Sequence, residues 1–319
     1  MKAQRGAAIL MAMLIVVLVA TLASGMMWQQ WRSFELESAQ RTRVQAAWIL
    51  TGGLDWARLI LREDARQGGP DHLSEPWAVP LAPARLSTFL AAERGQALVS
   101  DENDPDQEAF LAGGMQDLQA RLNVTNLIDG GKLHEPSRAA WARLFEHLNL
   151  PEQELDGMAQ RLLQATLAVR KPEPKADLMP QTVADLVWLG LSPTTLQAIT
   201  PFVTLLPART PVNLNTATAE VLLASVPGLD MAKARQLVQQ RATKPLENLN
   251  DAEQRLDNPQ LHLDAALHSI SSRFFSVTGQ LRMGSSTLQE RSVLQRDGLN
   301  VTVLSRVREV VAAEGTPLQ

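Results

Sequence analysis

Apolar residues form two contrasting patterns in the N-terminal part of the chain. The segment 7–27 has no charged residue. As a helix with a rise of about 1.5 Å per residue it would span roughly 32 Å, close to the ~30 Å hydrocarbon thickness of a bilayer. From Trp31 to Ile60, apolar residues recur mainly at spacings of three to five among charged ones, which is typical of an amphipathic helix. We therefore predict one helix from near Ala7 to near Arg66, apolar all round at first and one-sided afterwards.

The pattern changes beyond this helix. Glycines and prolines collect between residues 68 and 83 and are expected to end it. Apolar residues then alternate with polar ones over 115–128, which predicts a strand followed by a turn. Residues 136–256 are mostly helical by pattern and are punctuated by proline and glycine. The predicted helices cover 139–148, 152–169, 182–189, 193–202, 217–225 and 231–241.

The C-terminal residues predict an antiparallel meander. Strand-like alternation covers 270–283 and 288–296, Asp297-Gly298 is a strong hairpin signal, and Val301, Val303 and Val307 are predicted on one face of the last strand. A long helix, a strand, an all-α insertion and a terminal meander together predict an α+β fold. In such a fold the amphipathic half of the first helix packs on the antiparallel sheet.

Composition and charge narrow the class of protein. Of the 319 residues, 45% are apolar and 20% charged, which favours a globular body over disorder or several membrane spans. The formal net charge is -4, and loss of a leader carrying Lys2 and Arg5 would take it to -6. This is the opposite of a nucleic-acid-binding footprint. The chain has no cysteine, which excludes a disulfide framework and cysteine-based zinc sites.

The basic residues at the N-terminus predict an orientation. Lys2 and Arg5 precede the apolar segment, so the positive-inside rule places the N-terminus in the cytoplasm and the body across the membrane. Trp28 and Trp31 follow where interfacial aromatics belong. The segment 20–25 offers weak cleavage sites for an ordinary secretory signal peptide, but the apolar stretch is longer than usual for one. An uncleaved anchor of an unrelated periplasmic protein is the other alternative.

The order of these first residues resembles the type IV prepilin signature. A basic leader ends in Gly6, and Ala7 begins the apolar helix directly. The resemblance implies cleavage after Gly6 by a prepilin peptidase and N-methylation of Ala7. The family's usual glutamate at mature position five is replaced by Met11. That departure fits the general secretion pathway protein K family, whose "DLQGRFNLNNL" segment is similar to residues 117–127, DLQARLNVTNL.

The resemblance carries further expectations. It implies a type II secretion minor pseudopilin: a single-pass bacterial inner-membrane protein with a pilin-like periplasmic body that acts by assembly and not by catalysis. It would occupy the tip of the pseudopilus with other minor pseudopilins, above the major pseudopilin. The expected organisation is a leader at 1–6, a transmembrane helix at 7–27, a first body part at 28–135, an all-α insertion at 136–256 and a C-terminal meander at 257–319.

One segment of the insertion resembles a helix-hairpin-helix. Residues 212–217 followed by Val226-Pro227-Gly228-Leu229 and a helix to Arg241 match an element that offers backbone N–H groups to phosphate in DNA-binding proteins. A periplasmic DNA-binding or competence protein, or a pilus-associated protein, that uses this module is therefore an alternative function. The cations do not cluster as phosphate binding requires, since residues 213–241 sum to +1. We favour a packing module in which Asn213 or Asn215 caps a helix.

Catalytic and cofactor signals are weak. His134-Glu135 lacks the second histidine of a metalloprotease helix pair, and Asp129-Gly130-Gly131-Lys132 is predicted as a turn and not a phosphate loop. No cofactor is expected to be required. Carboxylates at 101, 102, 104 and 106 make calcium a candidate ligand, although they lack the EF-hand spacing, and a solvated turn is the favoured interpretation. A membrane-anchored periplasmic enzyme is the remaining alternative.

Overall fold

Helix α1 dominates the N-terminal part of the protein. The computed structural model describes residues 5–86, 109–170, 178–257, 262–283 and 286–312. Helix α1 covers Arg5–Gln67, in agreement with the apolar pattern. Gly68 and Gly69 follow with φ angles of +69° and +115°, a left-handed backbone that glycine adopts without strain. The chain leaves the helix there and forms a short 3-10 turn, Pro76–Ala78, which buries Trp77.

The remaining elements follow in chain order. Five strands come first: β1 (Leu81–Arg85), β2 (Ala109–Asp117), β3 (Leu122–Asn123), β4 (Ile128–Asp129) and β5 (Lys132–Leu133). The helical part contains α2 (Glu135–His147), α3 (Glu152–Arg170), α4 (Pro193–Ile199), α5 (Ala219–Ser225), α6 (Met231–Thr243) and α7 (Leu249–Leu256). Strands β6 (Val203–Thr204) and β7 (Val212–Asn213) lie between α4 and α5, and the chain ends with β8 (His268–Ser269), β9 (Phe274–Met283), β10 (Ser286–Asp297) and β11 (Asn300–Ala312).

Five strands form one antiparallel sheet in the order β1-β2-β9-β10-β11. The long range pair β2·β9 closes the sheet across the helical insertion, with Ala109 opposite Met283 and Asp117 opposite Phe275. Strands β10 and β11 form the predicted hairpin, in which Asp297 faces Asn300 and Gly298 has a φ angle of +57°. A long helix, an antiparallel sheet and a helical insertion confirm the predicted α+β class.

The amphipathic half of α1 packs on this sheet. Leu54, Ala57 and Leu61 join Trp77, Phe275 and Leu294 in one buried cluster, and Ala46 and Leu50 join Leu111 and Leu281 in a second. Close approach depends on Gly279, because a Cβ atom there would lie 3.0 Å from Leu50 Cδ2. Fully burying a leucine side chain contributes about 1.5–3 kcal/mol, so these contacts fix the helix on the sheet.

The helical insertion has a core of its own. The side chains buried in it come from α2 to α7 and from the short strands beside them, and they include Trp141, Phe145, Leu155, Met158, Leu186, Ile199, Val221, Leu237 and Leu256. Two short parallel pairs border the insertion: β3 with β6 and β7 with β8. Asp230 is the N-cap of helix α6: its carboxylate accepts a hydrogen bond from the Lys233 N–H at 2.7 Å, which stabilises the start of the helix.

The predicted strand over 115–128 is wrong beyond Asp117. Strand β2 stops there and two 3-10 turns follow, Leu118–Ala120 and Val124–Leu127, separated only by β3. Side chains cause the break. Asp117 Oδ1 accepts from the Gln119 N–H at 2.7 Å, and Asn123 Oδ1 accepts from the Thr125 N–H at 3.1 Å. Such bonds from short polar side chains compete with the strand ladder.

The prediction that Val301, Val303 and Val307 lie on one face of the last strand is wrong because of a β-bulge. The register of β10 and β11 shifts between Val293 and Leu294, so that Leu304 has no opposite residue. Val303 therefore lies opposite Leu294, but Val307 lies opposite Arg291, on the other face of the sheet. A bulge of one residue exchanges the faces of the residues beyond it.

The segment predicted as a helix over 182–189 is a 3-10 helix, Val183–Leu189.

Candidate assembly surface

The first half of α1 is an apolar rod without contacts to the rest of the described protein. Among the described residues, one helix is long and apolar enough to cross a membrane. Its most apolar window has a mean hydropathy of 2.6 and is 0% buried. Gly6 and Ala7 lie in the first turns of this helix. Met11 is 67% exposed. In water such a surface would aggregate, so it is suited to lipid or to neighbouring helices.

Aromatic residues follow this rod at its C-terminal end. Trp28, Trp31 and Phe34 are all exposed, and the Arg32 guanidinium carbon lies 5.8 Å from the centre of a Trp28 ring. Tryptophan and arginine are amphipathic and are enriched at the headgroup level of a bilayer. The membrane boundary at residue 27 stays a prediction.

The second half of α1 has two faces. One carries the buried residues that pack on the sheet. The other carries Val44, Trp48 and Leu59, of which Trp48 is 73% exposed and Leu59 is 55% exposed. Residues 44, 48 and 59 share one side of a helix with 3.6 residues per turn. We call these three residues the free face of α1, an apolar stripe outside the membrane segment.

Polar contacts hold α1 along the edge of the sheet. Arg58 Nε donates to the Val301 carbonyl at 3.1 Å, and Arg62 Nε donates to the Leu299 carbonyl at 3.2 Å. Arg306 Nη2 donates to Thr51 Oγ1 at 3.2 Å from the opposite direction. These three contacts join α1 to β11 and to the turn before it, so they fix the orientation of the free face relative to the sheet.

A buried polar network joins the insertion to the sheet. Asp117 Oδ2 accepts from Thr216 Oγ1 at 2.5 Å, from Ser272 Oγ at 2.6 Å and from Asn213 Nδ2 at 3.0 Å. Burial raises the pKa of Asp117, and these donors oppose that shift. Asn213 Nδ2 also lies 3.2 Å from the Asp71 carbonyl. Loss of any buried partner would leave unsatisfied polar groups.

Arg296 continues the network to α1. Its guanidinium pairs with Asp64 of α1 and, at 2.6 Å and 2.7 Å, with both carboxylate oxygens of Asp71. Glu75 Oε2 accepts from the His72 N–H at 2.8 Å and from Trp77 Nε1 at 2.7 Å. Burial raises the pKa of Asp71 to about 6 and that of Glu75 to about 7.

Three of these carboxylates lie close enough together to be candidate calcium ligands. Oxygen atoms of Asp64, Asp71 and Glu75 lie within 4.8 Å of one another. However, Arg296 already supplies the positive charge and occupies both oxygens of Asp71. A divalent cation would have to displace the guanidinium, so these residues do not fit calcium. The acidic segment 101–106, for which a solvated turn was the favoured prediction and calcium the alternative, lies outside the described residues.

The helix-hairpin-helix forms as predicted, but its capping residue differs. Gly228 has a φ angle of +75° in the turn between α5 and α6. The N-cap of α5 is Thr218, whose hydroxyl accepts from the Val221 N–H at 3.4 Å, so the prediction of Asn213 or Asn215 as the cap is wrong. Both asparagines are buried, and Asn215 donates from Nδ2 to the Leu246 carbonyl at 3.0 Å. Buried amides of this kind satisfy the backbone of irregular segments.

The cations of this hairpin are not arranged to bind phosphate. Arg241 is buried and donates to the carbonyls of Leu214 and Ala217, and desolvation lowers its pKa to about 10. Lys233 Nζ lies 3.2 Å from the Leu256 carbonyl. Arg235 is the exposed one of the three. The hairpin therefore uses two of its three cations to satisfy backbone carbonyls.

The metal-ligating side chains of the described residues form one cluster. Within it, the group Asp64, Asp71 and Glu75 is the only cluster of at least three metal-ligating side chains, and it contains no histidine. His134 Nδ1 lies 2.9 Å from Ser137 Oγ at the start of α2, and His268 Nε2 contacts the Ser225 carbonyl at 3.2 Å. Both histidine side chains form hydrogen bonds within the fold. The glycines of the Asp129–Lys132 segment form the predicted turn, with φ angles of +56° and +78°.

The amino-acid sequence is similar to family models and to individual proteins of known type. Family models of type II secretion system protein K match residues 120–208 and 212–271. Type II secretion system protein K from Pseudomonas aeruginosa is 26% identical over 96% of this chain and 93% of its own length. This chain is a homologue of type II secretion system protein K. The protein of the same name from Klebsiella pneumoniae is 27% identical over 95% of this chain and 96% of its own length.

A solved structure shares the fold of this protein K homologue. It comes from the crystal structure of the GspK-GspI-GspJ complex of the enterotoxigenic Escherichia coli type 2 secretion system. The TM-score is 0.62 at 19% identity, and the match covers 85% of this chain and 98% of the other. The resemblance to the general secretion pathway protein K family is confirmed. Cleavage at Gly6, methylation of Ala7 and an assembly role of Met11 stay predictions.

Proposed function

We propose that this protein is a minor pseudopilin of a type II secretion system that acts by assembly and not by catalysis. The decisive observation is the division of α1. Its first half is exposed all round and apolar, while its second half is fixed to an antiparallel sheet. A subunit of a helical fibre needs such a helix, because the rod packs against other rods while the body remains folded. Homology over most of the chain to type II secretion system protein K supports the same role.

Membrane anchoring follows from the apolar rod. We propose a single pass through the bacterial inner membrane, with the leader in the cytoplasm and the body in the periplasm. Lys2 and Arg5 on the short side support that orientation. N-terminal sequencing of the mature protein should begin at Ala7, and Gly6→Leu should leave the leader attached. A mature N-terminus near Gly25 would refute the anchor, because the apolar helix would then be removed.

We further propose that the subunit is terminal or rare in the fibre. The insertion spans α2 to α7 and has its own core, so copies repeating every few ångströms along a shaft would clash. Met11 provides an independent reason, since a thioether cannot pair with the charged N-terminus of a neighbouring subunit. Recovery of this chain as the main repeating subunit of sheared fibres would contradict the proposal.

The partners proposed are other minor pseudopilins, and the free face of α1 is the proposed contact. The related protein of the solved structure forms a complex with GspI and GspJ. An exposed tryptophan near the centre of an apolar stripe is a typical interface anchor. Trp48→Arg should therefore abolish co-purification with partner minor pseudopilins. Gln239→Arg is the matched control, because it adds the same charge on an exposed position of α6 and should leave co-purification unchanged.

DNA binding is the second candidate function, and the geometry of the hairpin does not favour it. Two of its three cations are bonded to backbone carbonyls, whereas phosphate binding needs several available ones. Filter binding to duplex DNA at physiological salt is expected to give no salt-sensitive retention. Tight retention that falls steeply with salt would reverse this ranking.

Calcium binding by the acidic turn at 101–106 is a separate proposal. Its support is the set of four carboxylates in six residues, a donor type that suits calcium. Chelation should lower the unfolding temperature of the protein, and Asp104→Asn should reduce that effect. An unfolding temperature unchanged by chelation would show that this segment holds no structural calcium.

A further inference from the structure

The face of the sheet opposite α1 is polar and largely open to solvent. On β9, Phe275, Val277 and Leu281 pack toward α1. The residues between them lie on the other side of the sheet, because side chains alternate along a strand. We call this other side the outer face. Its exposed or half-buried polar residues include Gln116, Thr278, Gln280, Gln289 and Ser305.

Three arginines lie on this outer face. The Arg282 guanidinium carbon lies 4.4 Å from the ring centre of the phenylalanine opposite it on β2. Arg291 is exposed on β10, opposite Thr278. Arg121 reaches the same face from the turn after β2, and its Nη2 donates to Gln116 Oε1 at 3.3 Å. We call Arg121, Arg282 and Arg291 the arginine patch.

The positive charge of the arginine patch is not neutralised by ion pairs. Within the described part of the chain, none of its guanidinium groups pairs with a carboxylate. By contrast, the two arginines of β11 on the opposite face pair with the buried Glu290. Burial and then the positive charge of Arg291 lower the pKa of Arg121, as expected of two neighbouring cations. Glu309 lies on the outer face, opposite a glutamine, so the patch keeps a net positive charge.

Spacing and charge together define a partner for this surface. Arg282 lies opposite Thr287, which is four residues before Arg291 on β10. A rise of about 3.4 Å per residue and a strand spacing of about 4.8 Å place the two arginine Cα atoms about 14 Å apart. In an extended peptide, residues four positions apart are separated by about the same distance. We propose that the outer face binds an extended acidic segment of a partner protein, whose carboxylates pair with Arg282 and Arg291. This surface is separate from the free face of α1.

Nucleic acid and lipid headgroups suit the arginine patch less well. Proteins that bind duplex DNA typically neutralise several phosphates, about 6–10 in well-studied cases, whereas this patch has three cations. The membrane is also distant. From residue 27, the predicted membrane boundary, to Ala46, where the packing of α1 on the sheet begins, the helix rises roughly 28 Å.

The probe for this surface is a fluorescein-labelled peptide of serine with three glutamates placed four residues apart. Full-length protein is reconstituted in nanodiscs of uncharged lipid, and binding is followed by fluorescence anisotropy. One control peptide has the three glutamates adjacent, and a second has glutamine at their positions. The spaced peptide should bind most tightly, the glutamine peptide should not bind, and added salt should weaken binding because the arginines are exposed to solvent.

Variants of the arginine patch separate it from general attraction. Arg282→Gln and Arg291→Gln should each weaken binding roughly 2- to 5-fold, as expected for the loss of an exposed ion pair. Arg235→Gln is the matched control, because it removes the same charge from an exposed position of α6 and should leave the affinity unchanged. Changing both Arg282 and Arg291 to glutamate should transfer binding to a peptide with lysines in place of the glutamates, which also shows that the surface is folded.

Four results would overturn the proposal. They are the absence of saturable binding of the spaced peptide, an equal loss of affinity in Arg235→Gln, equal affinity for the peptide with adjacent glutamates, and equal affinity for a single-stranded oligonucleotide of the same charge. Binding that appears only after the carboxylates at 101, 102, 104 and 106 are neutralised would also overturn it, since the chain's own acidic segment would then occupy the patch in place of a partner.

Discussion

Leu59 and Leu61 offer a direct test of the two-faced α1. They are two positions apart on the same helix, yet Leu61 is 0% exposed in the cluster with Phe275 and Leu294, whereas Leu59 belongs to the free face. Changing each to alanine removes the same atoms and has the same effect on helix propensity. Any difference between the two variants therefore measures packing on the sheet.

The magnitudes follow from burial. Leu61→Ala removes a fully buried side chain and leaves a cavity, which costs about 3 kcal/mol in the free energy of unfolding. For a body of this size that corresponds to a decrease of roughly 6–12 °C in unfolding temperature. Leu59→Ala lies on an exposed surface and should change stability by at most about 0.5 kcal/mol.

Two assays should respond in opposite ways. Thermal unfolding followed by near-ultraviolet circular dichroism should detect Leu61→Ala and not Leu59→Ala. Co-purification with partner minor pseudopilins, performed well below the unfolding temperature, should be weakened by Leu59→Ala more than by Leu61→Ala. Equal thermal shifts for the two variants would refute the packing of α1 described above. Equal co-purification of the two variants with the partners would show that the free face is not the contact surface.

Three further predictions concern the network and the hairpin. Asp117→Ala should lower the free energy of unfolding by about 3 kcal/mol in chemical denaturation, because it leaves the donors of Thr216, Ser272 and Asn213 unpaired. A decrease below about 1 kcal/mol would contradict the stabilising role of this buried polar network. Burial raises the pKa of Glu75 to about 7, so the stabilisation by its protonated form is complete below pH 4.5 and is lost as the pH rises to 7. Glu75→Gln should therefore flatten the fall in stability between pH 4.5 and pH 7, and an unchanged pH profile would argue against this role. Gly298→Val should lower the unfolding temperature more than Gly130→Ala, since a β-branched residue at a φ of +57° is strained. Equal unfolding temperatures for the two variants would show that strain in the β10–β11 turn does not limit stability.

Local patterns predicted the parts of the fold that depend on local physics. The extent of α1 follows from an apolar stretch that continues into a one-sided pattern, and the β10–β11 hairpin follows from Asp297-Gly298. The helix-hairpin-helix was predicted because Gly228 permits its turn. In each case the residues that decide the structure are neighbours in sequence, so the pattern contains the necessary information.

The errors have a common cause in distant contacts. The alternation around Leu118 and Leu122 indicates a strand, but Asn123 Nδ2 bonds to the Ala208 carbonyl at 2.8 Å and its Oδ1 accepts from the Leu206 N–H at 3.1 Å. These partners are more than 80 positions away, and no local pattern reveals them. The same holds for the bulge in β11, which turns Arg306 and Arg308 toward the buried Glu290.

The network residues Asp64, Asp71, Asp117 and Arg296 were not identified from sequence either. Each is an ordinary charged residue in its local context, and the pair Arg296 and Asp64 is separated by 232 positions. A buried ion pair of this kind becomes visible only when the helix, the sheet and the insertion are assembled. The sole sequence signal nearby was the similarity of residues 117–127 to the family segment, which includes Asp117.

The route of hydrogen bonds from Asn213 through Asp71 and Arg296 to Asp64 has a mechanical consequence. Asn213 belongs to the insertion and Asp64 to the last turns of α1, so a hydrogen bond and two ion pairs join the insertion to the helix. A load applied to the insertion would therefore reach the end of α1 through these buried contacts.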